Sequence, residues 1–196
     1  RSDKEFVGDS FYGWAMKRSP RLSLYERGFD GTYSYFSDDS IEAYFYVDIY
    51  DLKDETIDTA LEEYRKISKD YTTYKLTKAN TPSGIEYALL QFKGKESYND
   101  FQTYIYKDKI YKVTVSVSPE TEKKEFENLC SLADTFDFKF SGATAEDLSD
   151  VNKETNMHTY VNDDIGIMID IPGNYVIDDS TDKFNEVDFH SHYGFV

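Results

Sequence analysis

Residues 41–50 read Ile-Glu-Ala-Tyr-Phe-Tyr-Val-Asp-Ile-Tyr. Ile41, Ala43, Phe45, Val47 and Ile49 alternate with Glu42, Tyr44, Tyr46, Asp48 and Tyr50. Successive side chains of a strand point to opposite faces, so this period of two predicts a β-strand. One of its faces is apolar and the other carries tyrosines.

The same reading extends to both sides of this strand. Further strands are predicted at 12–17, 32–36, 72–77, 85–93, 101–107, 110–117 and 136–140. Asp108-Lys109 lies between two alternating runs and reads as a hairpin turn. Two helices interrupt the strands. Ile57, Ala60, Leu61, Tyr64, Ile67 and Tyr71 recur at helical spacing, with Asp54 as a suitable N-cap. Phe126, Leu129, Cys130, Ala133 and Phe136 form a second apolar stripe, with Ser118 as N-cap and Pro119 at the first helical position. The predicted class is α+β: an antiparallel β-sheet with Leu61, Ile67, Leu129 and Phe136 packed on it, an αβα sandwich.

Composition limits the partners. Among 196 residues there are 22 Lys+Arg against 38 Asp+Glu, a formal net charge of −16. Such a chain repels a phosphate backbone, so nucleic acid is a poor partner. Residues 141–196 hold twelve acids and two bases, so the last quarter is the most acidic part. No apolar run reaches the roughly 18 residues of a membrane span. The single cysteine, Cys130, allows no intramolecular disulfide and lies on an apolar helix face, where it reads as a small buried hydrophobe. The sequence starts at Arg1 rather than Met, so a processed or trimmed start is expected.

Three segments are expected. Residues 1–140 form a complete domain. Residues 141–159 (SGATAEDLSDVNKETNMHT) read as a linker. From Tyr160 the stretch YVNDDIGIMIDIPGNYVIDDSTDKFNEVDF is similar to FVGDSFYGWAMKRSPRLSLYERGFDGTYSYF from Phe6. Val7 matches Val161, Asp9 matches Asp163, Gly13 matches Gly166 and Pro20 matches Pro172, at an offset of about 153. Residues 160–196 therefore read as the opening strands of a partial second copy. Such a short piece cannot bury enough surface alone. It is expected to dock on an open sheet edge, of its own chain or of a neighbour, which makes self-association one expectation.

The element order also carries a resemblance. Opening strands with Pro20 lead to the Phe-Asp-Gly-Thr turn at 29–32. Then follow IEAYFYVDIYD, a helix, hairpins ending in IYKVTVSVS, a second helix and FDFKF. This order resembles the PsbP-like sandwich superfamily, which also includes a eukaryotic Ran-binding factor and bacterial lipoproteins. More narrowly it resembles exported proteins of Gram-positive bacteria that carry such domains in tandem. The resemblance implies the fold and an extracellular or cell-surface-anchored setting. It implies no activity, because fold alone does not fix function.

Catalytic chemistry is sparse. No histidine precedes His158, and no nucleophile elbow, zinc-protease helix motif or paired-cysteine motif occurs. No enzyme activity and no cofactor are expected. Asp188, His190 and His192 alternate with Phe189, Ser191 and Tyr193. On a strand these three side chains share a face at about 7 Å spacing, a candidate metal set or simply a solvent-facing edge. The run Asp178-Asp179-Ser180-Thr181-Asp182 lacks the glycine and glutamate of a calcium loop and reads more simply as a turn. The remaining signal is tyrosine, at 18 copies. Tyr44, Tyr46 and Tyr50 share one strand face; Tyr104 and Tyr106 share another. Such a face either meets a ligand or lies under a helix. The expectation is a non-catalytic secreted or cell-surface binding module for a protein partner. The alternatives are a glycan-binding module using the tyrosines, and a metal-dependent hydrolase or metal carrier using Asp188, His190 and His192.

Overall fold

Six of the alternating runs pair into one sheet. The computed structural model describes residues 3–178 and 188–191. In chain order the first elements are β1 (Phe6–Asp9), β2 (Trp14–Lys17), β3 (Ser23–Arg27), β4 (Tyr33–Asp38), β5 (Ala43–Asp51) and α1 (Ile57–Ser68). Next come β6 (Thr72–Asn80), β7 (Glu86–Lys93), β8 (Tyr98–Tyr106), β9 (Lys109–Val117) and α2 (Lys123–Ala133). The last are β10 (Ala145–Asp147), β11 (Met157–Asn162), β12 (Ile167–Pro172), β13 (Tyr175–Asp178) and β14 (Asp188–Ser191). Seven strands form one sheet in the order β3-β4-β5-β9-β8-β7-β6, and every neighbouring pair is antiparallel. The central pair, β5 with β9, sets Phe45 against Val115 and Val47 against Val113, which leaves Tyr44 against Ser116 and Tyr46 against Thr114 on the other face.

The two faces are covered unequally. On the first, α2 and a small sheet of β10, β1 and β2 close the main core. Trp14, Phe45, Val47, Val113, Val115 and Phe136 are buried there, with Trp14 stacked on Phe136 at 5.4 Å. Burial of each such side chain contributes about 1.5–3 kcal/mol. On the second face α1 packs on β6, β7 and β8. Ala60, Leu61 and Tyr64 meet Ala88, Leu90 and Phe92, with Ile67 partly buried beside them. The Tyr64 hydroxyl is hydrogen-bonded to Thr103 Oγ1 at 2.7 Å.

Several local expectations are corrected. The cap of α1 is Thr56, not Asp54, because Thr56 and Thr59 form a reciprocal capping box. The helix α2 starts later than Ser118 suggests, since residues 118–121 close a turn through Thr121 N–H and Ser118 O at 3.0 Å. Residues 136–140 form no strand. Asp137 makes one isolated bridge to Ala15, while Phe136 and Phe138 turn into the core. The segment expected as a linker, 141–159, carries β10, which runs parallel to β1. Leu148 is buried in the main core, and its N–H donates to Gly8 O at 2.8 Å.

The C-terminal strands form two hairpins, β11–β12 and β13–β14. Among the described residues neither joins the ladder of the seven-stranded sheet. Contact with the first part of the chain runs through other groups instead. The N–H of Asp30 donates to Gly173 O at 2.8 Å, His158 stacks on Phe29 at 3.7 Å, and Ile171 and Val176 are buried.

Candidate functional site

The helix α1 reaches only as far as β8, so the second face of β3, β4, β5 and β9 lies outside its cover. Period-two alternation decides what stands there. The register sets Tyr35 opposite Tyr46, Tyr33 opposite Asp48 and Ser37 opposite Tyr44, then Asp48 opposite Lys112. A β-bulge between Leu24 and Glu26 adds Tyr25 at the edge.

The rings form a ladder across the strands. Tyr35 and Tyr46 stack with centroids 4.7 Å apart. Tyr25 lies 5.2 Å from Tyr35, Tyr44 lies 6.0 Å from Tyr35, and Tyr33 lies 6.4 Å from Tyr46. The hydroxyls of Tyr35 and Tyr46 lie near each other. Burial and the neighbouring phenols push both groups above the ordinary tyrosine range, so these two phenols stay uncharged. The outer rings are open, Tyr25 at 75% and Tyr44 at 37% exposure. At the far end the Lys112 ammonium sits 5.4 Å from the centre of the Tyr50 ring, a cation–π contact.

Beyond Tyr50 the strip runs into an open cavity of about 710 Å³, lined among others by Tyr12, Asp30, Thr32, Tyr50, Lys112 and Asn156. Asp30 is buried in its wall. Its Oδ1 accepts from Thr32 N–H at 2.9 Å and Thr32 Oγ1 at 2.8 Å, and its Oδ2 accepts from Asn156 Nδ2 at 3.0 Å. The carboxylate is therefore held in place from two elements, the turn before β4 and the segment after β10.

The tyrosines expected to form a site divide into two groups. Tyr44, Tyr46 and Tyr50 stand together on the open face. Tyr104 does not join them: it is fully buried on the opposite face, against Phe136 and Tyr87 at 5.0 and 4.5 Å. Tyr106 follows it, half-buried and stacked on Phe138 at 4.2 Å. Helix α2 and Phe138 occupy the side on which β8 points these two rings, which removes them as a binding surface. Sequence reading overlooked Tyr33 and Tyr35, although Thr-Tyr-Ser-Tyr-Phe at 32–36 carries the same alternation as β5. Tyr25 sits at a bulge, where the period breaks.

The metal set is only partly within the described residues. Asp188 and His190 lie on β14 opposite Asp178 and Val176; His192 lies outside the described residues, as do residues 179–182 of the acidic run. His190 Nε2 is 3.9 Å from Glu26 Oε1. Among the described residues no three His, Cys, Asp or Glu side chains are grouped to hold a metal ion.

Two further acids are buried away from the strip. Asp100 lies beneath α2, where burial pushes its carboxyl up to about 7 and Gln91 Nε2 donates to it at 2.6 Å. Asp9 lies beside the Gly31 turn, its carboxyl also raised by burial to about 7.

Against known proteins, no family model matches the sequence and no curated protein is similar to it. The fold has solved counterparts. It is similar to cyanobacterial PsbP (CyanoP) from Synechocystis sp. PCC 6803, with a TM-score of 0.50 and 11% identity over 67% of this chain and 90% of that one. A crystal structure from Bacteroides thetaiotaomicron VPI-5482 matches at a TM-score of 0.41 and 14% identity, over 71% of this chain and 49% of that one. The first likeness shows a PsbP-like α+β fold.

Proposed function

We propose that this chain is a non-catalytic binding module, acting at the cell surface or outside the cell, whose protein partner docks on the open tyrosine face. The tyrosine ladder over the half of the sheet that α1 leaves bare carries this reading. Its rings are amphipathic and already fixed by stacking, so little side-chain freedom is lost on docking. Tyrosine is enriched in protein interfaces for the same reason. The extracellular setting comes from the resemblance in element order.

A glycan is the second reading, favoured by one observation: Tyr25 keeps 75% of its surface open, aromatic surface of the kind that stacks on a sugar. Site-specific photo-crosslinking separates the two. A benzophenone side chain at position 44 is expected to capture a protein from the surface proteins of the source organism, and the same group at Tyr74, on the far edge strand β6, is not. Equal capture at both positions would refute the docking face. Binding on a glycan array that Tyr25→Ala abolishes, without protein capture, would establish the second reading instead.

A further inference from the structure

The two C-terminal hairpins repeat the first two hairpins of the chain in register. Val7 pairs with Met16 and Asp9 with Trp14; 153 residues further on, Tyr160 pairs with Ile169 and Asn162 with Ile167. Leu24 pairs with Phe36; at the same offset Ile177 pairs with Phe189. The turns agree as well. Gly13 and Gly166 both adopt positive φ, 79° and 66°, a conformation that favours glycine. The side chain before each turn accepts from the backbone three residues on: Asp9 Oδ1 from Tyr12 N–H at 2.7 Å, and Asn162 Oδ1 from Ile165 N–H at 3.4 Å. A single offset that preserves two ladders, one special glycine and one side-chain cap is not expected of two unrelated hairpins. The register moves the valine and aspartate matches of the sequence by one position and keeps the glycine match.

The surroundings of the two copies differ. In β1–β2 the side chains of Val7, Trp14 and Met16 are buried, at 5%, 0% and 2% exposure, against the sheet. Their counterparts Ile167 and Ile169 are 44% and 41% exposed, while Ile171 at the end of the same face is buried. The seat that β1–β2 occupies on the seven-stranded sheet is filled, so β11–β12 has no equivalent place on it.

We infer that β11–β14 open a second copy of this fold, and that the exposed face of β11–β12 is that copy's half of a second core. Its occupant is the remainder of that copy, counterparts of β5, β8, β9 and α2, carried by the natural polypeptide beyond residue 196. The ground is the shared register, and the chemistry required is an aliphatic antiparallel sheet face like that of Phe45, Val47, Val113 and Val115.

The test compares the chain 1–196 with the longer natural chain, each with and without the double substitution Ile167→Ser, Ile169→Ser. In the chain 1–196 the substitution is expected to move the melting temperature of the main transition by less than about 2 °C. In the longer chain a second cooperative transition is expected, which the same substitution lowers by at least about 8 °C. A loss of the main transition in the chain 1–196 would show that the face packs on the first domain and would overturn the inference. So would a dimer of the chain 1–196 that the substitution dissolves, a longer chain with no second transition, or a natural reading frame without the counterpart of the β5 pattern.

Discussion

The ring of Tyr35 lies on that of Tyr46, centroids 4.7 Å apart and planes 10° from parallel, because β4 and β5 set the two residues directly opposite each other. Such cross-strand aromatic pairs contribute about 0.5–1.5 kcal/mol beyond area burial. Tyr46→Ala is expected to lower the unfolding free energy by about 1–2 kcal/mol, since it removes the pair and the contact with Tyr33. Tyr46→Phe keeps the stack and loses only the hydroxyl contact, at about 0.5–1 kcal/mol. Urea denaturation of both variants checks this. Equal losses would show that the hydroxyl contact, not the stack, holds the strip.

Leu148 tests how the segment after the first domain is attached. Its side chain is 4% exposed within the main core, and β10 beside it completes the small sheet with β1. Leu148→Ala is expected to cost about 2–4 kcal/mol, the range for truncating a buried leucine. A side chain on a free linker would change stability by less than about 0.5 kcal/mol. Thermal and urea unfolding of the variant distinguish the two.

The sheet was legible in the sequence because its strands alternate cleanly. Ile41 to Tyr50 shows the period, and the same rule places β7, β8 and β9. What the period leaves open is which face a helix covers. Tyr44 and Tyr104 carry equal signals as tyrosines on alternating strands, yet one is 37% exposed and the other fully buried. The difference lies in where α1 and α2 cross the sheet, which depends on loop lengths and packing rather than on the strand pattern. Tertiary contacts also set the role of 141–159. Its small polar residues read as a linker, whereas backbone pairing to β1 and one leucine make it part of the body. Asp30 gave no site signal, since its partner Asn156 lies 126 positions away.

Cys130 is expected to be chemically silent in the native state. It lies on the buried face of α2 at 6% exposure. Burial and the Asp100 carboxyl beside it push the thiol well above its ordinary range, so the reactive thiolate is scarce. Iodoacetamide at pH 8 should label the folded protein no faster than it unfolds, and label it at once in strong denaturant. Rapid native labelling would mean that α2 opens locally without global unfolding.

Asp9 gives the stability of the fold a pH dependence of defined sign. The residue is wholly buried. Its Oδ1 accepts from Tyr12 N–H at 2.7 Å, and Oδ2 presses against Gly31, where an added Cβ would lie 2.0 Å from it. Burial, followed by repulsion from Asp147 and Asp30, raises its carboxyl from 3.8 to about 7. A raised carboxyl binds its proton more tightly in the folded chain than in the unfolded one. Its contribution is therefore fully present below the unfolded value and is lost as pH rises through about 7. Asp100, raised to about 7 by its own burial, adds to the same trend. Asp9→Asn keeps the acceptor for Tyr12 and removes the charge. At pH 8 it is expected to raise the unfolding free energy by about 2–4 kcal/mol, an order-of-magnitude figure from the shift at 1.36 kcal/mol per unit. At pH 4 the substitution should change stability by less than about 1 kcal/mol, because the carboxyl is then protonated in the folded chain. Urea unfolding of wild type and variant across this range reads both effects. A variant destabilised more at pH 8 than at pH 4 would show that Asp9 is ionised and stabilising in the folded protein, and would reverse the sign of the argument.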